Sequence, residues 1–161
     1  MGSFYIFSSN NKLFAGMHCA FCDEEVLNRQ KFYEDDRVIV LLTHKPAVPG
    51  HCLIISKRHV ERFEMLTDEE IAQIGRVIKK VDQAAMQVFK TSSYILLQKN
   101  GQEVGQTVPH VHFHYIPRGT EDTSTLKIFV KMYFSSMQQP LSPAEMQNRV
   151  EEMRVAMEIV S

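Results

Sequence analysis

The sequence predicts an α+β fold: a mainly antiparallel, five-stranded sheet with one long helix and a C-terminal helix. Three observations predict it. Five short runs rich in Val, Ile, Leu, Phe and Tyr are separated by turn material, three before and two after a long helical stretch. That stretch, "TDEEIAQIGRVIKKVDQAAMQVF", places Ile71, Ile74, Ile78, Val81, Ala85 and Val88 three or four positions apart, which gives one apolar face. Near the C-terminus, Ser142 followed by Pro143 and Glu145 opens a further helix.

In chain order, Phe4 to Phe7 reads as a short strand. Cys19-Ala-Phe-Cys22 follows, a spacing that suits half of a metal site or a redox pair. Strands are expected at Lys31–Glu34 and Val38–Leu42, joined through "EDD" before Arg37. "KPAVPG" then leads through His51 into an apolar strand at Cys52–Ser56. Thr67 and Glu70 form a capping box at the start of the long helix, and the early acids suit the positive end of its dipole. Strands at Tyr94–Gln98 and Val111–Ile116 flank the turn "NGQEVG" at 100–105. Met146, Val150, Met153 and Met157 stripe the last helix, as a core or dimer-facing surface rather than a cofactor box.

With 161 residues and 18.6 kDa, the chain is expected to be one domain, 1–161, with a sizeable core. No apolar run reaches the ~18 residues of a membrane span. "MGSFYIFSSNNKLFAG" lacks the charged start and sustained apolar region of a signal peptide, so a cytoplasmic location is expected. Eighteen Lys plus Arg against 19 Asp plus Glu give no broad positive field, so neither nucleic acid nor a membrane is an expected partner. Three cysteines in such a chain argue against a disulfide framework, and Cys52 reads as core.

The chemistry concentrates in "GQTVPHVHFHYIPR", residues 105–118, where three of the seven histidines stand at alternate positions. On a strand His110, His112 and His114 share one face, roughly 6.6–7 Å apart, while Val111, Phe113 and Tyr115 face the core. Three aligned imidazoles each need partners, and charged ones repel, so a purely structural role is a poor explanation. Two functional readings remain open on the residues alone: a metal site on these histidines, or nucleophilic and anion-binding histidines acting on phosphate. The upstream glycine-containing turn favours phosphate, because its backbone N–H groups and the Thr107 hydroxyl can cradle anionic oxygens. His51 supplies another imidazole.

These residues resemble a known family. "GQTVPHVHFHYIPR" is similar to the signature His-x-His-x-His of the histidine triad (HIT) superfamily of nucleotide hydrolases and transferases. "KPAVPGHCLIISKRHVERFEMLTDEE" at 45–70 resembles the family's second block, closest to the fragile histidine triad (Fhit) branch. The similarity covers roughly 17–118, and the C-terminal helical extension at 140–160 resembles that branch more loosely.

The resemblance implies a homodimer whose site binds a nucleotide with its α-phosphate over the triad. It makes His112 the nucleophile, forming a nucleotidyl-histidine that water hydrolyses. His114 then contacts phosphate oxygens or the leaving group, His51 and His110 support the site, and Gln106 and Thr107 bind phosphate. The Fhit branch cleaves diadenosine polyphosphates and releases AMP, with no catalytic metal required. Some bacterial-type members carry a structural zinc, and the matching positions here are Cys19, Cys22, His59 and His110, a closed tetrahedral set. His18, beside Cys19, is an alternative ligand.

Two positions depart from the family pattern. Thr43 stands where many members place a ribose-binding Asp or Asn, and Lys99 stands where many have Asn or Gln near the phosphates. A hydroxyl makes fewer hydrogen bonds to a ribose diol than a carboxylate does, and a lysine adds a mobile charge. Together they point toward a longer or more highly charged polyphosphate. Nucleoside phosphoramidate hydrolysis uses the same residues and is the alternative activity; a nucleotide-binding module with vestigial catalysis is the alternative of another class.

Overall fold

All five runs become strands of one sheet: β1 (Lys31–Glu34), β2 (Val38–Leu42), β3 (Cys52–Ser56), β4 (Ser93–Gln98) and β5 (His112–Arg118). Their order is β1-β2-β3-β5-β4, with every pairing antiparallel. The computed structural model describes residues 19–119, 124–134 and 137–160. The strand expected at Phe4 to Phe7 and the candidate ligand His18 lie outside them.

The ends of two strands differ from expectation. β4 begins one residue earlier, at Ser93, and β5 begins at His112 and runs on to Arg118. Val111 and His110 precede the ladder because their N–H groups go to Val60 O (2.7 Å) and Val108 O (2.8 Å) instead.

The described residues also form four α-helices, α1 (Glu24–Gln30), α2 (Asp68–Phe89), α3 (Thr125–Tyr133) and α4 (Pro143–Ile159), and three one-turn helices at Ala20–Cys22, Phe63–Met65 and Gln102–Val104. Both expected capping boxes form, Thr67 with Glu70 on α2 and Ser142 with Glu145 on α4. Each satisfies helix-end N–H groups that would otherwise have no partner. α1 and α3 were not expected. Asp23 caps α1 by accepting from the N–H groups of Glu25 and Val26, and Ser124 caps α3. None of the described helices is long and apolar enough to cross a membrane.

The alternation along the strands divides the sheet into two unlike faces. Val38, Val40, Cys52, Ile54, Val111, Phe113 and Tyr115 meet the apolar sides of α2 and α4 in the main core. The methionine stripe of α4 is therefore core, with Met153 and Met157 almost fully buried. This removes one ground for expecting a dimer, since helix α4 covers within the chain the apolar surface that a second copy was to cover. On the opposite face, Ile39, Leu41, Leu53 and Ile55 lie beneath Phe21, and Ile116 and Ala47 lie beneath Ile128 of α3. Each of β2 and β3 is buried along its whole length, so the strand beside the histidines is packed on both faces.

Candidate active site

β5 lies beside β3, and its register sets His114 opposite Leu53 and His112 opposite Ile55. Both imidazoles thus stand on the face away from α2, with ring centroids 5.0 Å apart. His110 sits just before the strand and turns toward the cysteines, so the three do not form one evenly spaced row.

Hydrogen bonds fix which nitrogen of each ring holds a proton. His112 Nδ1 is 2.7 Å from the main-chain oxygen of His110. A carbonyl only accepts, so Nδ1 carries the proton and Nε2 is left with its lone pair. The Ala47 N–H donates to His51 Nδ1 at 3.2 Å, so a neutral His51 is protonated on Nε2. That Nε2–H points at His114 Nδ1, 3.1 Å away, which places the His114 proton on its own Nε2. One imidazole offers a lone pair, and its neighbour offers a hydrogen bond.

Burial keeps these rings neutral. It pushes His51 down to about 4 and His112 below its ordinary value. His114 is pushed down to about 2, first by burial and then by the adjacent His112, His51 and Lys99. A neutral imidazole of this kind is a competent nucleophile at physiological pH.

Lys99 is the charged group felt by both His112 and His114, and its Nζ also donates to Gly105 O at 3.4 Å. The turn after it is built differently from expectation. The amides of Gly101, Gly105 and Gln106 are committed to Gln106 Oε1, Gln102 O and Gly101 O, so they hold the loop together rather than face an anion. Gln106 is buried, and its own amide group donates to Glu61 O (2.7 Å) and Val108 O (3.2 Å). Its side chain braces the loop, and Thr107, which follows it, is exposed, as are Gln102, Glu103 and Val104. Gly101 and Gly105 make the turn possible at φ of 125° and 82°. Thr43 is half-buried beside His51, its N–H on His51 O at 3.3 Å. His44 is exposed.

Cys19, Cys22, His59 and His110 bring one donor atom each to within 4.8 Å of one another. His110 Nε2 lies 2.8 Å from Ser56 O and so carries the proton, leaving the Nδ1 lone pair toward the thiols. Cys19 Sγ and Cys22 Sγ are 3.5 and 3.7 Å from that nitrogen, and Cys22 Sγ is 3.4 Å from His59 Nδ1. A tetrahedron with zinc–sulfur and zinc–nitrogen bonds of about 2.3 and 2.1 Å has edges of roughly 3.5 Å. The donor set therefore fits zinc, and the Ser56 carbonyl orients His110 as outer partners of metal-bound histidines do. Desolvation, then the hydrogen bond and charge of Cys19, push the Cys22 thiol up, a cost that a bound cation reverses. Among the described residues this is the metal-competent cluster. A metal on all three triad histidines does not fit, because His110 turns its bare Nδ1 to the thiols, while His114 has its Nδ1 held by His51 and its proton on Nε2.

Three features of the site were not read from the sequence. Phe21, between the cysteines, sets its ring edge-on to both His110 and His112. The Ala47 amide orients His51, and the Ser56 carbonyl orients His110. The last two are main-chain groups and leave no mark in residue types, whereas Phe21 is visible but reads as a spacer.

A family model of the HIT domain matches residues 24–121. The chain belongs to the HIT family. Bis(5'-nucleosyl)-tetraphosphatase of Schizosaccharomyces pombe is 39% identical over 95 residues, 59% of this HIT chain and 52% of that protein. Adenosine 5'-monophosphoramidase of the same yeast is 35% identical over 108 residues, 66% of this chain and 78% of that one. The crystal structure of the Caenorhabditis elegans NitFhit protein superposes with a TM-score of 0.66 at 30% identity, covering 80% of this chain and 27% of that one. This HIT chain thus spans about half of the first relative and about a quarter of the last.

Proposed function

We propose that the protein is a nucleotide hydrolase that cleaves dinucleoside polyphosphates through a nucleotide held covalently on His112 and releases a nucleoside monophosphate. The observation that carries this reading is the proton placement in the site. His112 Nε2 is bare because Nδ1–H is held by the His110 carbonyl, and the His114 Nε2–H is available because His51 holds its Nδ1. In the proposed reaction the His112 Nε2 lone pair bonds to the α-phosphorus, and the bond from phosphorus to the bridging oxygen breaks. The second nucleotide leaves with that electron pair, its oxygen hydrogen-bonded by His114. Water then attacks the same phosphorus, the electron pair of the P–N bond returns to His112 Nε2, and the proton lost by the water passes to solvent. Phosphoryl-type transfer is governed by alignment and charge stabilisation, which Lys99 and Thr107 would supply around the phosphate chain.

Zinc, when bound by Cys19, Cys22, His59 and His110, would supply a structural staple, and its closed ligand set leaves no open position for substrate. The proposal includes a homodimer: β4 is an edge strand among the described residues and leaves Tyr94 and Leu96 about two-fifths exposed. Sedimentation should then give twice 18.6 kDa. The activity is tested by a substrate panel separated by chromatography. Diadenosine tri- or tetraphosphate turning over far faster than adenosine phosphoramidates supports the reading. The reverse order assigns the chain to phosphoramidate hydrolysis, the activity carried in the name of the second yeast relative.

A further inference from the structure

We propose that Phe21 is a positioning residue for His112, so that the metal clamp at Cys19 and Cys22 also sets the pose of the nucleophile. The inference rests on the nucleophilic role given to His112 above. The hydrogen bond from Nδ1–H to the His110 carbonyl holds the Nδ1 edge of the His112 ring, and rocking about the Cβ–Cγ bond is limited by what packs on the ring. Two neighbouring rings close off the rocking. His114 stands edge-on at 5.0 Å with an interplanar angle of 72°, and Phe21 stands edge-on at 5.1 Å and 73°. Such T-shaped contacts have a preferred geometry, unlike plain apolar packing.

Phe21 is itself held by the metal turn. It lies within the one-turn helix Ala20–Cys22, closed by the Cys22 N–H on Cys19 O at 3.0 Å, with a thiol ligand on either side. Phe21 is 8% exposed and packs with Ile39, Leu41, Leu53 and Ile55. The same ring meets His110 at 5.9 Å, and His110 offers its Nδ1 to the metal and its carbonyl to His112. Metal bound at the four donors would therefore fix both groups that orient the nucleophile: the carbonyl through His110 and the ring edge through Phe21.

The experiment uses the zinc-loaded protein and the variants Phe21→Ala, Phe21→Leu and Phe21→Tyr. It has two readouts besides zinc content. Nitrogen-15 NMR of labelled histidine, recorded without nucleotide, follows the His112 Nδ1–H signal; steady-state turnover of diadenosine triphosphate gives kcat and KM. With one zinc per chain retained, Phe21→Ala and Phe21→Leu should broaden the His112 Nδ1–H signal through faster exchange with water. Both should lower kcat about ten- to a hundredfold with KM within about threefold. Phe21→Tyr keeps the ring and should keep both readouts near wild type. If Phe21→Ala loses zinc, Phe21→Leu, which keeps the bulk, decides. An unchanged Nδ1–H signal overturns the proposal, as does a raised KM with unchanged kcat, which would make Phe21 a substrate contact only. Should the wild type turn over no nucleotide, the functional reading fails while the NMR result still decides the positioning role.

Discussion

Replacing His51 with asparagine tests how the site keeps its histidines neutral. Asn places an acceptor oxygen near the position of Nδ1, so the buried Ala47 N–H keeps a partner, whereas the donor to His114 is lost. The variant also removes a titrating group that burial holds at about 4. An imidazole held at about 4 when folded and at about 6.5 when unfolded destabilises the fold as pH falls between those values, because the unfolded chain binds the proton first. The penalty is absent above about 6.5 and grows to about 3 kcal/mol at pH 4. Urea unfolding of wild type and His51→Asn at pH 8, 6, 5 and 4 reads this directly. Wild type should be the more stable at pH 8, and its advantage should shrink by about 3 kcal/mol on reaching pH 4. Comparing the two proteins at each pH cancels titrations they share, including any loss of metal. An advantage that stays constant from pH 8 to pH 4 would refute the claim that His51 is held neutral by burial.

The metal assignment predicts one zinc per chain by elemental analysis, loss of that zinc in the Cys19→Ser, Cys22→Ser double variant, and a melting temperature lowered by more than about 5 °C on chelation. Stoichiometric zinc in the double variant would sink the assignment. Gly50→Ala should cost about 2–4 kcal/mol, because φ is 82° and the new Cβ would lie 2.6 Å from the Phe89 ring and 3.0 Å from Pro117. Thermal unfolding checks this, and a change within ~0.5 kcal/mol contradicts it. Tyr115→Phe removes a 2.7 Å hydrogen bond to Asp82 and should cost about 2 kcal/mol of stability. Because Tyr115 faces the core side of the sheet, kcat should stay unchanged; a large fall in kcat would mean that the two faces are not independent.

Much of the fold was legible because its signals are local. Alternating or continuous apolar runs gave β1, β2 and β3 with their bounds, and Thr67 and Ser142 marked the starts of α2 and α4. α1 escaped because it is short, although Asp23 followed by two glutamates is a readable cap. α3 escaped for the opposite reason. "TLKIFVKMY" is rich in β-branched and aromatic residues and buries Ile128 among its side chains, so its pattern resembles a strand. In the site, the alternation put His112 and His114 on one face of a strand from spacing alone, whereas His51 and the full set of Cys19, Cys22, His59 and His110 were legible only through the family resemblance. The role of Gln106 was not legible, since the carbonyls it holds, on Glu61 and Val108, are fixed by the fold alone.

In the proposed mechanism the Nε2 lone pair of His112, bared by the His110 carbonyl, attacks phosphorus. The most direct test is intact-mass analysis of the wild-type protein, quenched without acid during turnover of diadenosine triphosphate, with peptide mapping of any added mass. The account predicts one nucleotidyl group on His112. It also predicts that His112→Asn shows no such adduct and turns over on the order of 10⁴-fold more slowly, while nucleotide affinity stays within roughly tenfold. An adduct that maps elsewhere, or a His112→Asn protein that turns over near the wild-type rate, would contradict it.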